Sequence, residues 1–191
     1  MSSLSLLVNV HCFAAKEPYR ASHPLVLAHP TCFRLLAEAW NIIHVPEPIR
    51  FPIAEGPMSL MQHRVEVWFE RFLEEGWHWR RSQAYLVGPP GTGKSMAAMR
   101  IFNGLKVFIP GSGRFFLHGL NNSYDAILFE DFTYDPTIRR ELLSITQGDL
   151  LTFDEKHSSP KTMSWHKPII FTSNFQPNDE AFLDRLEVFH F

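Results

Sequence analysis

The stretch that decides the fold is 83-QAYLVGPPGTGKSMAAMRIFNGL-105. Its centre, Gly88 to Ser95, fills the pattern G-x-x-x-x-G-K-[ST], a loop whose backbone N–H groups cradle phosphates. The apolar run Ala84 to Val87 predicts a buried strand before the loop, and Ser95 to Leu105 predicts a helix after it because Met96, Met99, Ile101 and Phe102 recur at helical spacing. Strand, glycine loop and helix aim a helix N-terminus at a phosphate.

The loop predicts ATP as ligand, with Mg²⁺. Lys94 would reach the β and γ phosphates, and the Ser95 hydroxyl would bind the metal ion. A glycine-rich turn without a ligand is the alternative. The nucleotide-binding candidates are Gly88, Pro89, Pro90, Gly91, Thr92, Gly93, Lys94 and Ser95.

Composition excludes several classes of protein. The 191 residues are 45% hydrophobic with a net charge of −2, so one good core is expected and any nucleic-acid contact must be local. No apolar run approaches the ~20 residues of a membrane span, and residues 3–15 lack the basic start of a signal peptide. Two cysteines favour a reducing, intracellular compartment. Cys12, His23, His29 and Cys32 contain the right atoms for zinc, but their spacing matches no paired-ligand pattern.

Two regions differ in pattern. Residues 1–57 hold one predicted helix and end in a proline-rich connector over 44–57, and they would form at most a small oligomerisation element. Residues 58–191 carry every motif and form the predicted ATPase domain. They begin with an amphipathic helix over 60–76, whose predicted apolar face is Leu60, Val65, Trp68, Phe69 and Phe72.

Two further strands supply polar groups. Ala126 to Phe129 predicts a buried strand with Glu130 and Asp131 at its carboxyl end, where one acid can hold Mg²⁺ and the other can activate water. Ile169 to Thr172 predicts another strand, and it ends at Ser173 and Asn174. If this strand lies between the other two, the Asn174 amide reaches both the γ-phosphate and the water. The alternatives are surface acids and an asparagine that caps a turn.

The order GPPGTGKS, ILFED, IIFTSN resembles the superfamily 3 helicases of small DNA viruses, a branch of the AAA+ ATPases. The segments between the motifs, VFIPGSGRFFLHGLNNSYD and LLTFDEKHSSPKTMSWHKP, are most similar to the papillomavirus replication helicase family. Replication proteins of circular single-stranded DNA viruses come second. The resemblance implies a three-layer α/β P-loop NTPase with a mostly parallel sheet and an inserted DNA-binding β-hairpin. It also implies an ATP-dependent replicative DNA helicase that moves along single-stranded DNA as a ring, with six subunits expected, in a host nucleus.

A hairpin is predicted from strands over 150–154 and 161–165, with a turn over 155–160. Lys156 and His157 near its tip would contact the backbone of single-stranded DNA, with Lys161 and Trp165 as weaker candidates. A solvated polar turn is the alternative.

The resemblance also implies a composite site between subunits. Arg185 takes the place of that family's arginine finger, which stabilises charge on a neighbour's γ-phosphate. Arg80 and Arg81 correspond to a basic pair that faces the neighbouring nucleotide. A surface arginine is the alternative for Arg185.

Some features depart from the family. Residues 1–57 carry no nicking domain, Glu130 stands where two aspartates are usual, and Arg139 and Arg140 lie near but not on the basic sensor position. The chain stops at Phe191, inside a predicted strand, where that family continues, which favours a fragment or a shortened relative. Two alternatives therefore stay open: a DNA-stimulated ATPase without unwinding activity, such as a loader or transposition switch, and a fragment that only binds nucleotide or DNA.

Overall fold

The computed structural model describes residues 47–50, 57–78, 82–111, 113, 116–154 and 160–191. Its elements in chain order are α1 (Leu60–Glu75), β1 (Gln83–Val87), α2 (Lys94–Ile101), β2 (Val107–Phe108), β3 (Ala126–Phe129), a 3₁₀ turn (Pro136–Ile138), α3 (Arg139–Gln147), β4 (Leu151–Phe153), β5 (Lys161–Met163), β6 (Ile169–Ser173), α4 (Glu180–Leu183) and β7 (Leu186–His190).

Five strands form a parallel sheet in the order β2-β3-β6-β1-β7. Strands β1, β3 and β6 are buried along their whole length, as expected for parallel strands covered on both faces. The predicted strand between the two motif strands is confirmed, because β6 pairs with β1 on one side and β3 on the other. The expected order of motif strands is therefore correct.

Alternation along the strands divides the core in two. Tyr85, Ile127 and Phe171 face the side that is packed by α3 and α4. Their neighbours Leu86, Leu128 and Ile170 face the side that is packed by α1 and α2. Helices thus cover both faces, and the predicted three-layer α/β fold is confirmed.

Two helices differ from prediction. In α1, Val65, Trp68 and Phe72 are buried and Phe69 is partly buried, but Leu60 is 77% exposed. Leu60 is the first residue of the helix, so its side chain lies beyond the end of the packed face. The predicted helix over 95–105 starts at Lys94 and ends at Ile101, because Gly104 takes a φ of +83° and donates its N–H to the Ile49 carbonyl.

The predicted hairpin is present. Strands β4 and β5 pair antiparallel with Leu151 opposite Met163 and Phe153 opposite Lys161. Both strands are shorter than predicted, and the turn residues 155–159 lie outside the described part of the chain. The last strand ends at His190, not at Phe191. No helix among the described residues is long and apolar enough to cross a membrane.

Candidate active site

Three motif segments meet at one edge of the sheet. Strands β1, β6 and β3 are adjacent and parallel, so their carboxyl ends lie side by side. Val87 is in register with Ser173, and Phe129 is in register with Phe171. The residues that follow these strands, Gly88, Asn174 and Glu130, therefore come out at the same edge. This is where ligands bind in open α/β sheets.

The phosphate loop begins directly after β1. Gly91 and Gly93 have φ angles of +79° and +95°, which a residue with a Cβ adopts only with strain. Lys94 is buried, with 7% of its surface exposed, and its Nζ donates to the carbonyls of Gly88 and Pro89 at 2.7 Å each. Thr92 Oγ1 donates to the Pro89 carbonyl at 2.9 Å. The loop is thus closed around the lysine at the start of α2.

This loop follows β1, which lies between β6 and β7 in the parallel sheet, and this arrangement defines the fold. The fold is that of a P-loop NTPase. The backbone N–H groups of the loop and the N-terminus of α2 are fitted to polyphosphate by their dipoles. Ser95, the second residue of α2, is only partly buried.

Two neighbours of the loop were not foreseen from the sequence. A Cβ on Gly88 would lie 2.4 Å from the Phe191 carbonyl oxygen, and one on Gly93 would lie 3.1 Å from Gln62 Nε2. Gln62 is held by a capping box, in which Ser59 N donates to Gln62 Oε1 at 2.9 Å. The pattern S-x-x-Q signals that capping box, but its contact with the loop depends on tertiary packing.

The acidic pair lies on the turn after β3. Glu130 and Asp131 are both exposed, and Asp131 has a φ of +48°. The Asp131 N–H donates to Thr172 Oγ1 at 3.2 Å, and the Phe132 N–H donates to the Thr172 carbonyl at 2.7 Å. Thr172, buried on β6, therefore fixes the backbone that carries both acids.

The sensor strand ends in a second hydroxyl network. Ser173 Oγ donates to the Phe132 carbonyl at 2.7 Å and accepts from the Phe175 N–H at 3.2 Å. Tyr85 OH donates to the Phe175 carbonyl at 2.7 Å, and burial raises the pKa of this phenol. Asn174 lies between these fixed residues and is exposed. In the sequence, the hydroxyl residues Thr172 and Ser173 are the feature that corresponds to these hydrogen bonds.

The donor set fits Mg²⁺ and not a softer metal. Ser95, Glu130 and Asp131 offer hard oxygen atoms, which Mg²⁺ prefers, and leave positions for water and substrate phosphates. Among the described residues there is no cluster of three or more His, Cys, Asp or Glu side chains. The zinc alternative at Cys12, His23, His29 and Cys32 falls outside the described residues.

Arg185 lies at the amino ends of the strands, opposite the phosphate loop at their carboxyl ends. Its carbonyl accepts from the Gln83 N–H at 2.9 Å, so it sits beside the amino end of β1. The strand of five residues between them spans roughly 16 Å at about 3.3 Å per residue. Arg185 is therefore remote from the phosphate loop of its own chain, and its predicted role requires a second copy.

An ionic cluster joins the loop after Asn174 to helix α3. Asp179 Oδ2 accepts from Arg139 Nε and from Tyr134 OH at 2.5 Å each, and Asp179 Oδ1 accepts from the Phe182 N–H at 3.0 Å. The Arg139 hydrogen bond holds the pKa of the Asp179 carboxyl well below its usual range. Burial, with the Asp179 carboxylate as a second cause, raises the pKa of Tyr134. No motif in the sequence indicates this cluster.

The predicted DNA contacts are only partly described. Lys156 and His157 lie outside the described residues, and so do Arg80 and Arg81, the pair expected to face a neighbouring nucleotide. Lys161 Nζ donates to the Leu120 carbonyl at 2.5 Å, which ties the hairpin to the loop before β3. Trp165 is 2% exposed and belongs to the core, so its weak candidacy as a DNA contact was wrong.

Solved structures with a similar fold come from several kinds of protein. JCV helicase bound to a thiazolopyridine compound is 16% identical with a TM-score of 0.44, over 72% of this chain and 47% of that chain. A putative primosome component from Streptococcus pyogenes serotype M3 is 13% identical with a TM-score of 0.45, over 75% of this chain and 85% of that chain. NtrX from Brucella abortus in complex with ADP is 12% identical with a TM-score of 0.47, over 91% of this chain and 45% of that chain.

The chain thus spans less than half the length of the JCV helicase chain. No protein-family model matches the sequence, and no curated protein is significantly similar to it. At TM-scores below 0.5 these likenesses carry no weight for function, which must be argued from the site itself.

Proposed function

We propose that this chain is an ATP-dependent replicative DNA helicase that hydrolyses ATP between subunits of a ring and moves along single-stranded DNA. The observation that carries the proposal is the position of β6 between β1 and β3. It brings the amide of Asn174 to the same edge as the phosphate loop and the two acids. Hydrolysis needs these three kinds of group together: a phosphate cradle, a carboxylate and a group that orients water.

Each residue has a distinct part in this proposal. The ammonium of Lys94 leaves the carbonyls of Gly88 and Pro89 for the β and γ phosphates of ATP. Mg²⁺, held by Ser95 with Glu130 and Asp131, would neutralise charge on those phosphates. One of the acids accepts a proton from the attacking water, and Asn174 orients that water toward the γ-phosphate.

The site is completed by another subunit. Arg185 of one copy meets the γ-phosphate held by the next, since it lies roughly 16 Å from its own loop by strand length. A homohexameric ring would place six hairpins around a pore, where Lys156 and His157 track the backbone of single-stranded DNA. The proposal includes a nuclear location, that of the host if the chain is viral, and otherwise an intracellular one.

The test is ATP hydrolysis with and without single-stranded DNA, followed by displacement of a labelled strand. The wild-type chain should hydrolyse ATP faster with DNA. Lys94→Ala should lose at least about a hundredfold in turnover, as the removal of a group that stabilises transition-state charge does. Lys106→Ala is the matched control, because Lys106 directly precedes β2 at the other edge of the sheet.

The outcomes separate the alternatives. DNA-stimulated hydrolysis without strand displacement identifies a loader or switch and contradicts the helicase assignment. Bound nucleotide without hydrolysis in any condition contradicts the enzyme and leaves a binding fragment.

A further inference from the structure

The Arg185 side chain is held by two neutral acceptors. Gln147 Oε1 accepts from Arg185 Nε at 3.0 Å and from Nη2 at 2.7 Å, and the Ala181 carbonyl accepts from Nη1. A guanidinium has five N–H donors in a rigid fork. Two contacts to one oxygen fix the plane of the fork, and two donors remain for another ligand.

The neutrality of these acceptors sets Arg185 apart. Arg139 is paired with the Asp179 carboxylate at 2.5 Å, and Arg71 is paired with the Glu187 carboxylate at 2.6 Å. A carboxylate would cancel most of the field that a guanidinium presents to an incoming anion. An amide oxygen orients the guanidinium and leaves its charge in place. Arg139 and Arg71 are therefore structural, whereas Arg185 keeps a full charge at the amino edge of the sheet.

Gln147 is itself well fixed. It is the last residue of α3, whose Leu142 and Ile145 are buried in the core, and Gly148 follows it in a left-handed conformation. A cation beside the carboxyl end of a helix is also favoured by the helix dipole. The end of α3 thus supports Arg185 through the neutral amide of Gln147.

We propose that Gln147 is the positioning residue of Arg185: it orients the guanidinium toward the nucleotide of a neighbouring subunit and leaves its charge uncancelled. This inference rests on the proposed function, since it assigns a support to the arginine that completes the composite site. It also predicts that an acid at position 147 is more harmful to hydrolysis than to folding.

The first experiment compares Gln147→Glu, Gln147→Leu and Arg185→Ala. The Glu variant keeps the shape and the contacts but turns the support into an ion pair. The Leu variant removes the contacts. Both should reduce ATP turnover about tenfold or more, the scale of one lost charge-assisted hydrogen bond, with unchanged nucleotide affinity and melting temperature. Asn122→Asp is the matched control, because it makes the same chemical change at an exposed loop position.

The second experiment mixes subunits. Lys94→Ala has a defective phosphate loop but an intact Arg185 and Gln147, so it can supply the arginine to a neighbour. Adding it to Gln147→Glu or to Arg185→Ala should restore part of the turnover, because a site that combines the intact phosphate loop of one subunit with the intact Arg185 of a Lys94→Ala neighbour is complete. A variant that was damaged in its own fold or loop would not be rescued.

Two results would overturn the inference. If Arg185→Ala loses turnover and both Gln147 variants keep it, Gln147 does not position the arginine. If the Gln147 variants lose turnover but Lys94→Ala subunits do not rescue them, their defect lies elsewhere. Full turnover of Arg185→Ala is a different failure, because it contradicts the composite site and thereby the proposed function.

Discussion

Thr172 shows how much of the candidate site depends on one buried hydroxyl. It is 1% exposed and accepts the N–H of Asp131, which has the only positive φ among the described non-glycine residues. We expect Thr172→Val to lower the free energy of unfolding by about 0.5–1.5 kcal/mol, the net contribution of a typical hydrogen bond. Turnover of ATP should fall while nucleotide affinity stays, because the phosphate loop is untouched. Denaturant unfolding and steady-state kinetics measure the two effects.

Thr162→Val is the control for this change. Thr162 is exposed on β5, and its hydroxyl shares a hydrogen bond with the Thr152 hydroxyl across the hairpin, so the loss of this bond should cost less than about 0.5 kcal/mol. Equal effects of the two substitutions would contradict the role of Thr172. The sequence marked Glu130 and Asp131 as acids at a strand end, but it could not reveal Thr172, because that contact depends on the register of β3 with β6.

The carboxyl of Asp179 gives a pH-dependent test. Its pKa is lowered by hydrogen bonds from Arg139 and Tyr134. A group whose pKa is depressed in the fold stabilises it above the pKa of the unfolded state, and the stabilisation is lost as the pH falls toward the folded value. We expect Asp179→Asn to lower the free energy of unfolding at pH 7. The difference from wild type should shrink as the pH drops below about 4.

Asparagine at position 179 can still accept the Phe182 N–H at the start of α4, so this variant isolates the charge from the helix cap. Asp184→Asn is the control, because Asp184 is an exposed acid that directly follows the last residue of α4. The free energy of unfolding of both proteins is measured at several pH values. A difference between wild type and Asp179→Asn that stays constant from pH 7 to pH 3 would refute the ion pair.

At the scale of the elements, one tryptophan packs against the base of the hairpin, where the chain enters β4 and leaves β5. Trp77 stacks on His166 with ring centroids 4.0 Å apart, and His166 Nε2 lies 3.0 Å from the Gly148 carbonyl oxygen. Gly148 comes before β4 and His166 comes after β5. The segment after α1 therefore packs against the base of the hairpin.

Gly148→Ala tests this anchor. A Cβ there would lie 2.3 Å from Trp77 Cζ2 and 2.8 Å from His166 Cδ2, in a backbone with φ of +75°. We expect the left-handed strain to cost about 1–2 kcal/mol and the clash to add about 1–3 kcal/mol. Gly119→Ala carries a similar φ, +87°, but its Cβ would meet nothing within 4 Å. Chemical unfolding should therefore find the first substitution clearly worse, and equal losses would contradict the packing.

Much of the element pattern could be predicted. Continuous apolar runs gave the strand Ala126–Phe129 to the residue, since parallel strands that are buried on both faces have no polar alternation. The shortened end of α2 could not be predicted, because Gly104 is held by Ile49, a residue that is distant in sequence. The burial of Trp165 could not be predicted, because β5 ends at Met163 and Trp165 packs into the core from the segment that follows it.

At the scale of the whole molecule, the net charge of −2 means that the proposed DNA binding must depend on local positive charge. If Lys156 contacts a phosphate, the slope of log affinity against log salt should become shallower by about 0.7 for each phosphate contact that is lost in Lys156→Ala. Binding of fluorescent oligonucleotide to the complete chain across a series of KCl concentrations measures that slope. Lys106→Ala should leave the slope unchanged, and a parallel line for Lys156→Ala would remove the hairpin tip from the DNA site.

The proposal of a ring rests only on the family resemblance. The composition and motifs of one chain say nothing about which edge faces a neighbour. The location of Arg185, at the opposite edge from the phosphate loop, is a fact of topology that appears only when β7 is seen to pair with β1. The sequence could name this arginine, but not its separation from the phosphate loop of its own chain, which makes the proposed role depend on a second copy.

The contact between Phe191 and Gly88 has a practical consequence for the bench. Phe191 donates its N–H to the Val87 carbonyl at 2.8 Å, and its own carbonyl lies against Gly88. Any chain that continues past Phe191, whether natural or added by a cloning vector, must leave from beside the phosphate loop. An affinity tag fused there would compete with substrate for space and could imitate an inactive enzyme. Kinetic work on this protein should therefore carry its tag at the amino end.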